Sequence, residues 1–554
     1  MKKILFILIT VIVIGGLFVV GCAKETTPAP APTPAPAPAP SPAPAPKPAT
    51  PAPTPAPAPA PAPKPAAPAP GAPVRGGTLR VIGGTGLVDL GYPPKMNPTD
   101  EATAKMYTEA LVSWESTGDF TPELAESWDL DQAKKTITFH LRKGVKFHDG
   151  TDFNAEAVRY IAQLRIDSKR MVDAKYINSI EVVDPYTFRY NLNTWINPAK
   201  ALHSWAYGVT IYSPTALKEK GEAWNTTNFV STGPFKFGGF ERDVFLKLVR
   251  NENYWRGKEY PYLDGIEIKM FADTMTMSAA LQAGEGDTWG APIKEAMDLE
   301  KMGLKIVTQV NMYTEIVPDN KTPGSVWADK RVRQALEYAM DRPALAQGLG
   351  YGRFQPMKML APEGSTGYNP DYPERKYNPA KAKQLLAEAG YPNGFKTKML
   401  VFQGNLDLPQ AIQKYAADVG IQIEIDAADP GRFFGALFGA GWGGGLLQWM
   451  VPVDPEFAIG WLVHFGKEPI IRYSSLQWPD RYWELNDKFY FAPTIATGRQ
   501  ATKDMMTFAS EEAQLIPLFN TVATYVVQPY VHSTYYQQHF MTYNTYKWWM
   551  DKKK

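Results

Sequence analysis

The pattern of hydrophobic and polar positions divides the chain into three stretches. Two lysines precede an uncharged, almost wholly apolar run from Ile4 to Val20. Residues 26–74 then repeat proline and alanine, which fixes the backbone, removes donors and excludes both helix and sheet. From Arg75 onward, apolar residues alternate or recur at helical spacing. The pattern therefore predicts a targeting segment, a semi-rigid stalk and a folded body.

Strand-like and helix-like segments alternate along the body, which predicts an α/β fold with mixed sheets. Asn154, Asp329 and Asn378 are good N-caps and predict three helices, the last of which ends at Gly390. A further helix is expected near 408–419. The predicted strands cover residues 136–141, 143–150, 180–183, 187–192, 245–249, 266–270, 397–402 and 421–425.

Length and composition narrow the class of protein. At 554 residues the chain exceeds the size at which one apolar core keeps growing, so we expect at least two lobes. A formal net charge of +2 excludes a nucleic-acid binder that depends on a basic surplus. The single cysteine, Cys22, excludes intrachain disulfides, thiolate zinc clusters and iron–sulfur centres.

Catalytic and cofactor motifs are absent from the sequence. The six histidines form no HxH, HxxxH or HExxH pattern, and neither a P-loop nor a GxSxG elbow occurs. The one GxGxxG, residues 439–444, follows a predicted helix and precedes a strand, the reverse of the dinucleotide-binding order. We therefore interpret it as a loop and expect no catalytic residue, no metal and no cofactor.

The end of the first apolar run, Val19-Val20-Gly21-Cys22, resembles a bacterial lipobox. The resemblance implies a signal peptide over 1–21, cleavage before Cys22 and acylation of its thiol. Residues 22–74 would then be a lipid-anchored stalk. The alternatives are an uncleaved N-terminal anchor and, for the proline-rich stretch, a ligand for another domain. With either kind of anchor, the body lies on the extracytoplasmic face of the bacterial membrane.

A series of sequence blocks in the body resembles, in order, the signatures of the extracytoplasmic solute-binding proteins, family 5, of ABC importers. This is the dipeptide, oligopeptide and nickel group. The resemblance covers nearly all of residues 75–554. The blocks are Arg75–Val81, Thr121–Trp128, Phe139–Gly150, Ser231–Lys236, Asn253–Trp255, Gly284–Asp287, Asp329–Arg342 and Ala387–Pro392.

The resemblance implies a periplasmic-binding-protein-like fold of two α/β lobes around a ligand cleft, with a hinge that the chain crosses twice. The crossings are expected near 310–320 and 514–520. Lobe I would span 75–315 and include an extra subdomain at about 112–230. Lobe II would span 316–515, and residues 516–554 would return to lobe I. Such a protein closes on its ligand, docks as a monomer on an ABC permease with its ATPase, and performs no covalent chemistry.

The ligand pocket departs from the peptide-binding pattern of this family. Those relatives carry Trp-x-x-Asp-x-x-(Asp/Glu)-Pro, whose first Asp pairs with the α-ammonium of the peptide. Here the stretch 449–455 is one residue shorter, and Val451 and Pro452 stand where that Asp would be. By resemblance, Trp449 is a cleft wall. Asp454 aligns with the second acidic position, whose role can be to cap a helix.

Two other tryptophans are cleft candidates, Trp289 and Trp442, with a core or surface role as the alternative for each. Without the usual Asp, we expect weak binding of free-amine peptides unless Asp454 or another carboxylate replaces it. The leading hypothesis is a lipid-anchored receptor that captures a peptide or peptide-like solute. The alternatives are a receptor for a sugar or a metal chelate, a sensor or chaperone-like receptor, and a secreted hydrolase.

Overall fold

The computed structural model describes residues 72–115, 117–404, 406–453, 456, 473–532 and 544–551. The described residues from Pro73 onward belong to one unit. The signal-peptide and lipidation predictions, the stalk up to residue 71 and Asp454 fall outside these ranges. Within the described ranges, no helix has both the length and the apolarity of a membrane span.

The strands of the described residues form one large sheet and three small ones. In chain order they are β1 (Thr78–Gly84), β2 (Val112–Trp114), β3 (Phe120–Pro122), β4 (Ala125–Asp131), β5 (Thr136–Leu141), β6 (Ile177–Asp184), β7 (Thr187–Leu192), β8 (Phe235–Glu241), β9 (Phe245–Arg250), β10 (Gly265–Phe271), β11 (Thr288–Ala291), β12 (Lys305–Pro318), β13 (Gln355–Pro356), β14 (Phe395–Phe402), β15 (Ile421–Ala428), β16 (Leu446–Pro452), β17 (Ile516–Val527), β18 (Val531–His532) and β19 (Trp549–Met550).

The large sheet has the strand order β15-β14-β16-β12-β17-β11-β1-β10-β9-β8, with β13 also paired to β17. Parallel pairs such as β1 with β10 and antiparallel pairs such as β12 with β17 occur together, so the sheet is mixed as predicted. The strands β4-β5-β7-β6 form a separate antiparallel sheet. That small sheet lies within the residues predicted for the extra subdomain.

The α-helices cover or connect these sheets. In chain order they are α1 (Pro98–Ala104), α2 (Ala155–Asp167), α3 (Pro198–Ala201), α4 (Pro214–Thr227), α5 (Thr274–Gln282), α6 (Ile293–Lys301), α7 (Lys330–Ala339), α8 (Arg342–Leu349), α9 (Pro379–Glu388), α10 (Asp407–Ala417), α11 (Pro430–Gly435), α12 (Asp480–Tyr490) and α13 (Ile495–Glu511). The π-helical turns Leu202–Tyr207 and Ala436–Ala440 follow α3 and α11.

The predicted N-caps are confirmed at atomic detail. The side chains of Asn154, Asp329 and Asn378 each accept a hydrogen bond from a backbone N–H in the first turn of α2, α7 and α9. These bonds satisfy donors that a helix start otherwise leaves unpaired. Gly390 follows α9 with a φ of +94°, the left-handed conformation that stops a helix.

The strand predicted over 143–150 is wrong, whereas the other predicted strands are confirmed. Gly144 and Gly150 take φ values of +76° and +87°, which break the extended conformation at both ends. Between them, only a single bridge joins Lys146 to Asp152. Val145 and Phe147 are buried there, so the apolar pattern reflected packing rather than a strand.

Strands β12 and β17 form the longest pair in the large sheet, from Lys305 opposite Val527 to Ile316 opposite Ile516. One face of β12 turns Ile316 into an apolar cluster with residues of α7, α9 and α10. The other face turns Tyr313 and Val317 into a second cluster that contains Leu447 and Val451 of β16. Both predicted crossings, near 310–320 and 514–520, fall at the end of this strand pair where Ile316 lies opposite Ile516.

Candidate functional site

The candidate site is built on neighbouring strands of the large sheet. In the antiparallel pair of β16 and β12, Trp449 lies opposite Glu315, and Val451 lies opposite Tyr313. Directly opposite residues share a sheet face, and so do residues two apart on one strand. Trp449, Glu315 and Tyr313 therefore belong to one face, and we call this group the Trp449 wall.

Trp449 is half-buried and rests on two phenylalanines of α11. Its ring centroid lies 5.1 Å from that of Phe433 and 5.6 Å from that of Phe434. The short helix thus fixes the indole from behind and leaves part of it accessible. This placement agrees with the cleft-wall role that the resemblance implies for Trp449.

Glu315 is fully buried beside this tryptophan. The hydroxyl of Tyr473 donates to its Oε1 at 3.1 Å, while its Oε2 has no hydrogen-bond partner among the described residues. Burial raises the pKa of Glu315 to about 8, and the hydroxyls of Tyr473 and Tyr313 only partly oppose the rise. In this arrangement the carboxyl therefore carries a proton at neutral pH.

Trp442 belongs to the glycine-rich loop that the sequence predicted. Its ring lies nearly perpendicular to that of Tyr473, with centroids 6.5 Å apart, and its Nε1 is buried with no acceptor among the described residues. Its backbone N–H donates to Ser475 Oγ at 3.2 Å. Gly441, at φ +75°, would bring an added Cβ to 2.5 Å from the same oxygen. The loop therefore packs tightly against residues 473–475, beside the donor to Glu315.

The remaining site candidates are placed differently. Trp289 lies on β11 with only 3% of its surface exposed, in a cluster with Ile82, Leu281 and Val526. Trp449 packs against another cluster, so the burial of Trp289 favours the core alternative. Asp454 lies outside the described residues.

Two groups of contacts join the residues predicted for the extra subdomain to α12 and α13. In the first, Arg499 Nη2 donates to the Gly118 carbonyl at 2.9 Å and to Asp119 Oδ1 at 3.0 Å. Arg499 Nε also donates to Oε1 of Glu456, which is buried, at 2.5 Å. One guanidinium thus ties α13 to the loop before β3.

The second group surrounds a buried lysine, and we call it the Lys200 cluster. Lys200 Nζ lies 2.6 Å from Asp173 Oδ2, and both side chains are less than 10% exposed. The hydroxyl of Tyr490, at the end of α12, donates to Asp173. Lys200 also lies 4.9 Å from the centroid of the Tyr490 ring. Because a buried ion pair is costly to break, this cluster holds the two regions together in the structure.

A second buried carboxyl, Glu109, lies far along the sequence from the Trp449 wall and is bonded very differently. Tyr254 OH and Trp255 Nε1 donate to its Oε1 at 2.7 and 3.0 Å. Thr232 Oγ1 and the same indole N–H donate to its Oε2 at 2.8 and 2.9 Å. Burial raises the pKa of Glu109 to about 7, and Glu123 adds to the rise. Both oxygens of Glu109 are therefore satisfied.

Among the described residues, no three His, Cys, Asp or Glu side chains converge as a metal site would require. His148, part of the signature block, packs inside the fold, where its Nε2 lies 2.9 Å from the Gly233 carbonyl oxygen. Burial lowers the pKa of His148 to about 4, so it is neutral and structural.

Sequence reasoning missed Glu315 and Tyr473. The available signal was a single acidic residue inside the otherwise apolar or neutral run 312–317, where a strand buried on both faces tolerates few charges. Tyr473 offered no such signal, because its partner is 158 residues away along the chain.

Comparison with known proteins gives concordant results. Residues 119–461 match the family profile described as bacterial extracellular solute-binding proteins, family 5 Middle. The glutathione-binding protein GsiB of Shigella flexneri serotype 5b is 31% identical over 359 residues, or 62% of this chain and 68% of that protein. Heme-binding protein A of Haemophilus influenzae is 32% identical over 347 residues, or 56% of this chain and 62% of that protein.

A solved structure shares the fold at low sequence identity. The periplasmic binding protein DppA of Helicobacter pylori, in complex with the peptide STSA, superposes with a TM-score of 0.70. The match covers 86% of this chain and 99% of that one, at 23% identity. The fold is therefore that of the two-lobed periplasmic binding proteins.

Proposed function

The chain belongs to the bacterial extracellular solute-binding proteins of family 5, and from this premise we propose that it is the receptor for a peptide or peptide-like solute. Members of the family are binding proteins of ABC importers and not enzymes. The family match over 119–461 carries the proposal. The names of its relatives, which include glutathione-binding and peptide-bound proteins, favour a small peptide-like solute.

The solute would be held between two lobes joined by β12 and β17. Lobe I would comprise residues 75–315 and 516–554, and lobe II residues 316–515. With these boundaries, the Trp449 wall would lie where β12 passes from one lobe to the other, so a solute held there would contact the hinge. The Arg499 contacts and the Lys200 cluster would join the lobes in the closed form and separate when a hinge motion opens the cleft.

We also propose that the receptor is anchored by lipid on Cys22 and works outside the cytoplasmic membrane. The apolar run and the Val-Val-Gly-Cys sequence are the support for this. One acyl chain holds only marginally, whereas two or three hold stably, and the stalk would let the body reach a permease. Cys22→Ser should release the protein from membranes or leave a precursor of higher mass. Unchanged fractionation and unchanged mass would contradict the anchor without touching the receptor.

The receptor function is tested by finding the solute. Native mass spectrometry of the full chain in detergent should detect a co-purified small molecule. Calorimetry should then measure binding of three probes: a pool of di- and tripeptides, the same pool N-acetylated, and a set of oligosaccharides. Submicromolar binding of either peptide pool is the expected result. Binding of sugars alone would keep the receptor and replace its ligand class, whereas no co-purified molecule and no binding would contradict it.

A further inference from the structure

In the Trp449 wall, the carboxyl group of Glu315 has one oxygen without a hydrogen-bond partner among the described residues. Glu315 Oε1 accepts from Tyr473, but Oε2 is buried and has no partner among the described residues. A buried polar atom without a partner costs about 1–3 kcal/mol, so proteins rarely keep one without a use. Its place beside Trp449, on a strand that would pass between the lobes, points to a ligand.

We propose that Glu315 is the carboxylate that pairs with a cationic nitrogen of the solute, a primary ammonium above all. The inference rests on the proposed receptor function and specifies which chemical group the receptor reads. Glu315 would supply, from β12, the charge that Val451 and Pro452 do not supply at the end of β16.

The register of the sheet places Glu315 beside Trp449. Glu315 is the direct cross-strand neighbour of Trp449, and Tyr313 is the neighbour of Val451. Side chains in this relation lie about 4.5–5.5 Å apart at Cβ. A solute resting on the indole of Trp449 therefore has a carboxyl within reach of an ammonium that it presents to the sheet.

The charge balance around Glu315 favours a cationic ligand. The described groups around Glu315 are neutral: the hydroxyls of Tyr473 and Tyr313 and the indole of Trp449. No cation among the described residues forms an ion pair with this carboxyl. A carboxyl in such a place stays protonated until a positive charge arrives, and an arriving ammonium then stabilises the ionised form. Glu109 has no such vacancy, because donors fill both of its oxygens.

Access of the solute to Glu315 would depend on the opening of the lobes. Glu315 is fully buried in the structure, so the solute must reach it while the lobes are apart. The contacts of Arg499 with Asp119 and of Lys200 with Asp173 are the ones that opening would break. When the lobes close, these contacts would form again and exclude water from the ion pair. A charge-assisted hydrogen bond is strongest in such a dry environment.

A cycle of one protein change and one ligand change tests the proposal. The full chain in detergent and its Glu315→Gln variant are titrated with the free-amine peptide pool and with the N-acetylated pool. We expect Glu315→Gln to weaken binding of the free-amine pool about 100-fold and to leave the acetylated pool nearly unchanged. Acetylation alone should weaken wild-type binding by a similar factor, which checks the charge without altering the fold.

Glu267→Gln is the matched control, since Glu267 lies on β10 of the same sheet and, among the described residues, forms an ion pair with Lys247 alone, at 3.6 Å. It should leave both titrations unchanged. Equal loss for both pools in Glu315→Gln, or no loss for either, would overturn the inference while binding itself upheld the receptor. Binding of uncharged solutes alone would do the same, and binding of no probe would overturn both.

Discussion

Two buried glutamates in one chain show two uses of the same side chain. Glu109 accepts from a tyrosine, a tryptophan and a threonine, so its environment is complete within the folded body. Glu315 accepts from Tyr473 and has an oxygen without a described partner. Burial raises both pKa values, to about 7 and about 8 respectively. The difference separates a carboxyl that organises the fold from one that the fold holds ready for a ligand.

The largest expected effect is the loss of stability when the Glu109 carboxyl, with its full set of donors, is removed. Glu109→Ala leaves three donors without an acceptor, on the buried Thr232 and Tyr254 and on the partly buried Trp255, so it should lower the free energy of unfolding by about 3–5 kcal/mol. Chemical denaturation measures this. The exposed Glu219→Ala should change it by less than about 0.5 kcal/mol. A loss below about 1 kcal/mol for Glu109→Ala would remove one side of the comparison.

The next effect concerns how stability depends on pH. Native Glu315 keeps its proton up to about pH 8, whereas the unfolded chain releases it near 4.5. Its contribution to stability is therefore present at pH 4 and lost as the pH rises through 8. Glu315→Gln removes this loss, so at pH 9 the variant should be more stable than wild type by about 2–4 kcal/mol.

Melting curves of wild type and Glu315→Gln at pH 5, 7 and 9, without solute, measure that difference. It should be near zero at pH 5 and grow with pH. Together with weaker solute binding, a more stable variant would mark a residue kept for function at a cost in stability. A variant that is less stable at every pH would show that Glu315 is structural, like Glu109.

A variant in the Lys200 cluster tests whether closure of the lobes and charge pairing by Glu315 are independent. Lys200→Met leaves Asp173 buried with Tyr490 as its remaining donor, which should cost about 2 kcal/mol in the closed form. We expect a larger radius of gyration by small-angle X-ray scattering and faster solute release. Proton exchange on binding should persist, because Glu315 is untouched. Loss of proton exchange with an unchanged radius would contradict this division of roles.

The smallest effect distinguishes two tryptophans. Trp449→Ala removes a half-buried ring from the Trp449 wall and should weaken solute binding by about 1–2 kcal/mol, or roughly tenfold. Trp289→Phe, in the core, should lower the melting temperature and leave affinity unchanged. Calorimetry and thermal denaturation on the same samples measure both. The reverse outcome would exchange the assignments of the two residues.

The sequence predicted the fold more completely than the candidate site. Cap residues such as Asn154 and strand alternation over 187–192 act locally, so their outcomes were predictable. Residues 143–150 misled, because buried Val145 and Phe147 imitate a strand that Gly144 and Gly150 interrupt. The partnership of Glu315 with Tyr473 and Trp449 depends on sheet register and on contacts over more than 130 positions, which no local pattern encodes.

The central claim is that Glu315 exchanges its proton for a solute cation, and proton release on binding tests it most directly. Calorimetry of the free-amine peptide pool at pH 7, in phosphate and in Tris, measures the protons released from the difference in apparent enthalpy. Wild type should release about one proton per solute bound, and Glu315→Gln should release none. Equal enthalpies in the two buffers for wild type, with binding intact, would contradict the claim.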